Sequence, residues 1–273
     1  MPADSNRRGT ILERILRSKR REVVARRARV PLRDLRDRTR DLPPTRDFRR
    51  AISRKGKEPV SSIHLIAEMK KASPSKGLLR EDFDPRRLAE EYSEAGASAL
   101  SVLTDSAFFQ GSLEYLEGAK RWVNLPLLQK DFIIDEYQIW EGRVRGADAI
   151  LLIAALLEHE VLNRLTDLAL KIGLEPLIEI HSLSDLSKTE ETRSRIIGIN
   201  NRDLLTFQVN LETSFGLITS IGPGRSTVSE SGIFTREEVM RLETAGLDAI
   251  LVGEALMKSS DPGKKVRELL GRT

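Results

Sequence analysis

Beyond residue 60 the chain is punctuated by eight short apolar runs, at 63–69, 98–103, 125–130, 148–153, 174–180, 195–200, 226–230 and 248–252. Most are rich in Ile, Leu and Val without clean alternation, the pattern of strands buried on both faces. The stretches between them carry helix ends. Asp84-Pro85 offers an N-cap followed by proline at the first helical position. Ser182 with Asp185, and Thr235 with Glu238, have capping-box spacing. Gly96, Gly146, Gly173 and Gly246 each follow a helical stretch and precede an apolar run, where a left-handed helix stop costs glycine nothing. The junction recurs as a motif: Ala-Gly-Ala-Ser-Ala-Leu at 95–100, Arg-Gly-Ala-Asp-Ala-Ile at 145–150 and Ala-Gly-Leu-Asp-Ala-Ile at 245–250. Eight such units predict an α/β protein, a closed (β/α)8 TIM barrel over residues 61–273, rather than an open doubly wound sheet. Ahead of it, Ile11-Leu12, Ile15-Leu16 and Val23-Val24 recur at helical spacing, followed by Pro31, Pro43-Pro44 and Phe48. Residues 1–60 therefore read as an N-terminal helical extension, a helix, a looped segment and a second short helix, that covers one end of the barrel.

Five of the runs end on polar or titratable residues: Glu68 and Lys70, Lys130, Glu179, Asn200, and Glu230. A charge in or beside a buried strand is costly unless paired or used. In a parallel barrel such ends meet at one mouth, where these folds do their chemistry. Glu68 and Lys70 are two residues apart and face the interior together, with Met69 turned to the helices. Lys130 beside apolar surface is expected to have a lowered pKa and to serve as a general acid. Burial of Glu179 is expected to raise its carboxyl toward the range of a working acid or base. Asn200 can donate and accept, and Arg202 can fork to a carboxylate or a phosphate. Ser231-Gly232 after the seventh run, and Gly253-Glu254 after the eighth, let backbone N–H groups approach an anion at helix starts, a recurrent phosphate site of this barrel. Plainer alternatives stay open: an ion pair for Glu68 and Lys70, a snorkelling lysine, a neutralising partner for Glu179, a surface pair for Arg202, and ligand-free turns for the glycines. Ser73-Pro74 and the residues to Gly77 have the composition of a loop.

Composition narrows the function classes. Of 273 residues 40% are hydrophobic and 32% charged, enough for a sizeable core under a charged surface. There is no Cys, which removes disulfides, thiolate nucleophiles and Cys-ligated zinc. The three histidines, His64, His159 and His181, have no metal-ligand spacing. No stretch is apolar enough to span a membrane and the start of the chain has no signal-peptide core, so a cytoplasmic location is expected. The net charge of +4 hides an asymmetry: residues 1–60 carry 20 Lys/Arg against 8 Asp/Glu, leaving 25 against 33 for the rest. Such an arm can bind nucleic acid, but its scarce aromatics and interspersed acids favour a helical face packed on an acidic body.

The residues now assembled resemble a known family. Segments 66–77 (Ile-Ala-Glu-Met-Lys-Lys-Ala-Ser-Pro-Ser-Lys-Gly), 127–132 (Leu-Leu-Gln-Lys-Asp-Phe) and 200–204 (Asn-Asn-Arg-Asp-Leu), with Leu103-Thr104-Asp105, the stretch 108–112, and 11–16 with Lys19 and Glu22, are similar to indole-3-glycerol-phosphate synthase of tryptophan biosynthesis. The resemblance spans nearly the whole chain. It implies a carboxy-lyase acting on 1-(2-carboxyphenylamino)-1-deoxyribulose 5-phosphate, by ring closure, decarboxylation and dehydration. It implies Lys130 as general acid of ring closure, Glu179 as base of dehydration, and Lys70 paired with substrate. Glu68, Asn200 and Glu230 would orient hydroxyls and lysines. Ser231, Gly232, Gly253 and Glu254 would hold the phosphate, and Phe109, Phe132 and Pro74, beside Ser73, would form the aromatic slot. Relatives commonly have Ser where this chain has Glu254, so that carboxylate is expected to point away from the phosphate. No metal and no cofactor is implied, and neither a nucleic-acid nor a membrane partner; whether another enzyme of the pathway associates stays open. Two rivals are carried. Another sugar-phosphate barrel, phosphoribosylanthranilate isomerase, needs a Cys/Asp pair that this chain lacks. A nucleic-acid-binding protein using residues 1–60 leaves the polar strand ends unexplained.

Overall fold

The computed structural model describes residues 10–54 and 62–272. The boundary drawn at residue 60 lies outside the described residues. The barrel strands are β1 (His64–Met69), β4 (Ala99–Leu103), β5 (Leu127–Lys130), β6 (Ala149–Ile153), β7 (Glu175–Ile180), β8 (Ile196–Asn200), β9 (Ser226–Glu230) and β10 (Ala249–Val252). All eight lie within the predicted apolar runs and close in order, each parallel to its neighbours, with β10 pairing back to β1. A small antiparallel hairpin, β2 (Ala72–Ser73) with β3 (Gly77–Leu78), leaves β1; the loop reading of this segment missed it. Its Gly77 has φ +66, a conformation only glycine adopts freely.

Strand alternation sorts the side chains into two cores. Ile66, Leu128, Leu151, Leu177, Val228 and Leu251 fill the barrel. Leu65, Ala67, Met69, Leu100 and Val102 face the surrounding helices. Those helices are α4 (Pro85–Glu94), α6 (Leu113–Trp122), α7 (Glu136–Val144), α8 (His159–Lys171), α10 (Glu212–Ile218), α11 (Arg236–Thr244) and α13 (Pro262–Leu269), with short α5 (Ser106–Phe109), α9 (Leu183–Ser187) and α12 (Glu254–Lys258) at the strand exits. The caps follow the sequence: Asp84 accepts from Arg86 and Arg87 N–H, and Thr235 with Glu238 forms a capping box. Ser182 caps α9, but Asp185 turns back to the His181 N–H, one residue further out than a capping box requires.

The repeated Gly-x-Asp-Ala-Ile junction has a structural reason. Asp148 accepts from the backbone N–H of Leu127 on β5, and Asp248 from that of Thr227 on β9, each lacing its strand to the one before. Each also takes a backbone N–H from the N-terminal segment, Arg46 at 2.7 Å and Arg54 at 2.9 Å. Residues 45–54 thus seal the end of the barrel where strands begin. Within them α3 (Phe48–Ile52) pushes Phe48 and Ile52, both fully buried, into the interior core.

The first helix, α1 (Ile11–Arg29), lies at the opposite end. A Thr10–Glu13 capping box starts it, and it buries one stripe, Ile15, Lys19 and Val23. Between these two segments the sequence predicted a loop, but α2 (Leu32–Thr39) forms a helix there, with Pro31 at its N-cap. Its own pattern is mostly charged; it is held by Leu35, buried against Tyr137 of α7, and by the Arg36–Glu136 pair at 3.2 Å. Packing, not periodicity, makes this helix.

Candidate active site

The C-terminal strand ends converge, and every residue singled out in the sequence lines one cavity of about 1160 Å³, counted with its opening to solvent. Ile11, Leu12 and Ile15 of α1 form part of its wall. At its floor Lys130 leaves β5 and its Nζ lies 3.0 Å from Glu179 Oε2 and 2.5 Å from Glu230 Oε2, both carboxylates being buried. On the other side Lys70 Nζ pairs with Glu68 Oε2 at 2.6 Å, and Ser101 Oγ approaches Glu68 Oε1 at 3.5 Å. Asn200 ends β8, between the strands that carry Glu179 and Glu230, and accepts the Arg202 N–H through Oδ1.

The electrostatics correct two expectations. Burial alone would lower the Lys130 ammonium, but Glu179, Glu230 and Glu68 outweigh it and hold the group above its ordinary range. Burial alone would raise Glu179, but Lys130, then His181, outweigh it and hold that carboxyl below its ordinary range. The carboxyl raised is Glu230, pushed up to about 7, because burial and the neighbouring Glu179 and Glu68 exceed what Lys130 offsets. Two carboxylates against one ammonium cannot both be satisfied equally. The site therefore holds a firmly charged lysine, a firmly ionised carboxylate and one carboxyl that titrates near neutrality.

Phe109 and Phe132 are in tilted ring contact, with centroids 6.0 Å apart at 45°, and with Pro74 they form an apolar stretch of the cavity wall. Opposite lies a cup made by Ser231-Gly232 after β9 and Gly253-Glu254 after β10. Ser231 and Gly232 both have positive φ, +67 and +77, which turns successive N–H groups to one side. A Cβ on Gly253 would strike the Glu68 carboxylate, so this residue joins the cup to the floor. Arg202 reaches Glu254 Oε2 at 3.2 Å and the Phe207 carbonyl at 3.2 Å, while Glu254 Oε1 meets Lys258 at 2.7 Å. The arginine's carboxylate partner is thus within the protein, and Glu254 is turned toward two cations.

Sequence reasoning gave no role in the site to several residues. Asn201, buried, donates to Ser229 Oγ and the Ser231 carbonyl and accepts from Ser214, so it sets the turn of the cup. Gly198 sits mid-strand because a Cβ there would strike Glu230 and Leu177; a lone glycine in an Ile-rich strand is the available signal. Lys19 is 1% exposed and lies 2.9 Å from Asp105 and 2.7 Å from Asp131, pinning α1 to the loops that follow β4 and β5. His181, next to Glu179, gave no signal beyond its position. Among the described residues no group of His, Cys, Asp and Glu side chains could hold a metal ion.

Comparison with known proteins bears on this arrangement. Residues 12–269 match the family model for Indole-3-glycerol phosphate synthase. Proteins of that name from Roseiflexus sp. (strain RS-1) and Albidiferax ferrireducens are 49% and 46% identical to the chain. The first alignment covers 96% of this chain and 98% of the relative, the second 95% and 97%. In fold, the chain resembles a mutant tryptophan synthase alpha-subunit from Pyrococcus furiosus, with TM-score 0.59 and 17% identity over 76% of this chain and 98% of that one. It also resembles a 3-hexulose-6-phosphate synthase, with TM-score 0.59 and 11% identity over 77% and 99%. At these identities the structures speak for the barrel alone.

Proposed function

The chain belongs to the indole-3-glycerol phosphate synthase family, and from that premise we propose how its own residues divide the reaction. The substrate is the carboxyphenylamino deoxyribulose phosphate, and the enzyme is a carbon–carbon lyase that releases carbon dioxide and water. The phosphate sits in the cup against the N–H groups of Gly232, Gly253 and Glu254, and the aromatic ring lies against the apolar wall of Phe109, Phe132 and Pro74. Lys70 pairs with the substrate carboxylate. The ring carbon bearing that carboxylate attacks the sugar ketone while Lys130 gives its proton to the ketone oxygen. Carbon dioxide then leaves and the ring regains its conjugation. Lys70 gives the proton with which the new hydroxyl departs as water, and Glu179 takes the proton lost from the adjacent carbon in forming the indole double bond.

The observation that carries this reading is Lys130 held between two buried carboxylates of unlike proton affinity. A group charged at neutral pH yet beside an ionised base can donate in one step and leave the base free for the next. Glu230 steadies Lys130, Glu68 steadies Lys70, and Asn200 orients a substrate hydroxyl. The α1 wall over the cavity supports reading this helix as a cover that limits water, while residues 45–54 close the other end. Two arginines of α1 are engaged by the barrel, Arg26 with Glu141 at 2.9 Å and Arg27 with Asp135 at 2.6 Å, which supports docking of the helix on the barrel. None of these steps calls for a metal or an organic cofactor. Among the described residues no helix is long and apolar enough to cross a membrane, and we place the enzyme in the cytoplasm with the rest of a biosynthetic pathway.

The test is turnover of that substrate followed by indole fluorescence, with release of one carbon dioxide per indole. Absence of product from folded protein overturns the reading. A crystal soaked with a substrate analogue is expected to show phosphate density at residues 231–232 and 253–254; density only among the N-terminal arginines contradicts the assignment of the cup.

A further inference from the structure

Glu179 is approached on both oxygens. Lys130 takes Oε2, and Nε2 of His181 lies 3.4 Å from Oε1. His181 follows β7 directly, two residues after Glu179, so both side chains leave the strand on the same side. On the far side of the ring, Nδ1 lies 3.7 Å from Asp185 Oδ2, and that carboxylate is fixed by the His181 backbone N–H at 2.9 Å. Asp185 is itself set by the Ser182 cap of α9. The order is Asp185, His181, Glu179, Lys130. Both ring nitrogens are buried and neither completes a hydrogen bond. A buried polar group left unpaired is costly, and hydrogen bonds of a working site are often long until substrate binds. The histidine side chain is 15% exposed against 3% for Glu179, so it stands on the solvent side of the base.

The charged groups nearest the ring are carboxylates, with the Lys130 ammonium of β5 beyond Glu179. Glu179 comes from β7, Asp185 from α9, Glu230 from β9, and Asp203 from the loop after β8. Burial alone would lower the imidazole, but Asp185, Glu179 and Glu230 together hold it above its ordinary range. Its charge in turn is one of the two that keep Glu179 ionised.

We propose that His181 is a positioning residue for Glu179, standing against Oε1 as Lys130 stands against Oε2. The inference rests on the assignment of Glu179 as the base. It acts through Glu179 and touches no substrate, since His181 does not line the cavity. Its effect therefore falls on kcat and on the pH at which the base becomes protonated, not on substrate affinity. Sign and direction follow: without the imidazolium the Glu179 carboxyl rises, so the acid limb of the rate profile moves to higher pH.

The experiment compares the pH profiles of kcat and KM for His181→Ala, His181→Gln and Glu179→Gln in the full chain, with folding checked by circular dichroism. His181→Ala is expected to lose about ten- to a hundredfold in kcat, part of the 10²–10⁴ that a positioned base contributes. Its KM should stay within about twofold and its acid limb should move up. His181→Gln restores an N–H toward Oε1 without charge, so it should recover most of kcat on the plateau while keeping the displaced limb. Wild-type kcat and an unmoved limb in both histidine variants, beside an inactive Glu179→Gln, overturn the inference and leave the base assignment standing. A rise in KM alone overturns it as well. Wild-type turnover by Glu179→Gln overturns both.

Discussion

Lys130→Met tests the floor of the site most directly. The substitution keeps much of the side chain's length and removes the charge that two buried carboxylates share, at 3.0 and 2.5 Å. Two consequences add. Chemistry loses its proton donor, which costs about 10²–10⁴ in kcat, or roughly 2.7–5.5 kcal/mol of barrier at 1.36 kcal/mol per tenfold. The fold loses the cation between Glu179 and Glu230, which are 3% and 2% exposed; breaking a buried pair by removing one partner costs about 3–5 kcal/mol. For a chain of this size each kcal/mol moves Tm by about 2–4 °C, so the melt should fall by about 6–20 °C. The pH dependence has a definite sign. Glu230 already titrates at about 7 in the folded protein, against an ordinary 4.5, so it opposes folding increasingly as pH climbs through that window. Without Lys130 it rises further, and Glu179 rises with it. The extra destabilisation is therefore larger at pH 8 than at pH 5.5. The assays are indole fluorescence for turnover and thermal melts at both pH values. Folded Lys130→Met protein within about tenfold of wild-type kcat refutes the donor role. A melt unchanged at pH 8 refutes the energetics.

Three other substitutions probe what surrounds the floor. Lys19→Met leaves Asp105 and Asp131 buried without their cation, a local cost of about 3–5 kcal/mol; α1 should become susceptible to proteolysis and KM should rise, and a helix as protected as before would show that Lys19 does not hold it. Glu254→Ser removes a carboxylate from the cup and releases Arg202, so KM should fall and inorganic phosphate should inhibit more strongly; unchanged inhibition would mean that Arg202 does not face the phosphate. Gly198→Ala pushes a methyl into Glu230 and Leu177, an overpacking cost of about 1–3 kcal/mol with a loss of kcat; crystal structures of both forms would show whether Glu230 has moved off Lys130.

The barrel was legible in the chain because its signals are local. Buried parallel strands must be continuously apolar, helix stops need glycine, and each unit repeats both, so eight runs and four left-handed glycines sufficed to read the fold. The catalytic candidates were legible for a related reason: a charge at the end of such a run has no cheap structural use. Where local pattern is weak, the reading failed. α2 is mostly charged and is a helix only because Leu35 finds α7, and the 72–78 hairpin is too short to leave a periodicity.

What tertiary structure alone decided is the state of the site. Lys130 was expected to be lowered and Glu179 raised, as burial by itself dictates. Residues 49 and 100 positions apart in sequence bring their charges within 3.0 Å and reverse both, moving the unusual carboxyl to Glu230. His181 and Lys19 likewise acquire meaning only from carboxylates delivered by other elements. Periodicity is a property of neighbours along the chain and survives in one dimension; a proton affinity is a sum over distances in three, and those distances exist only once the barrel has closed.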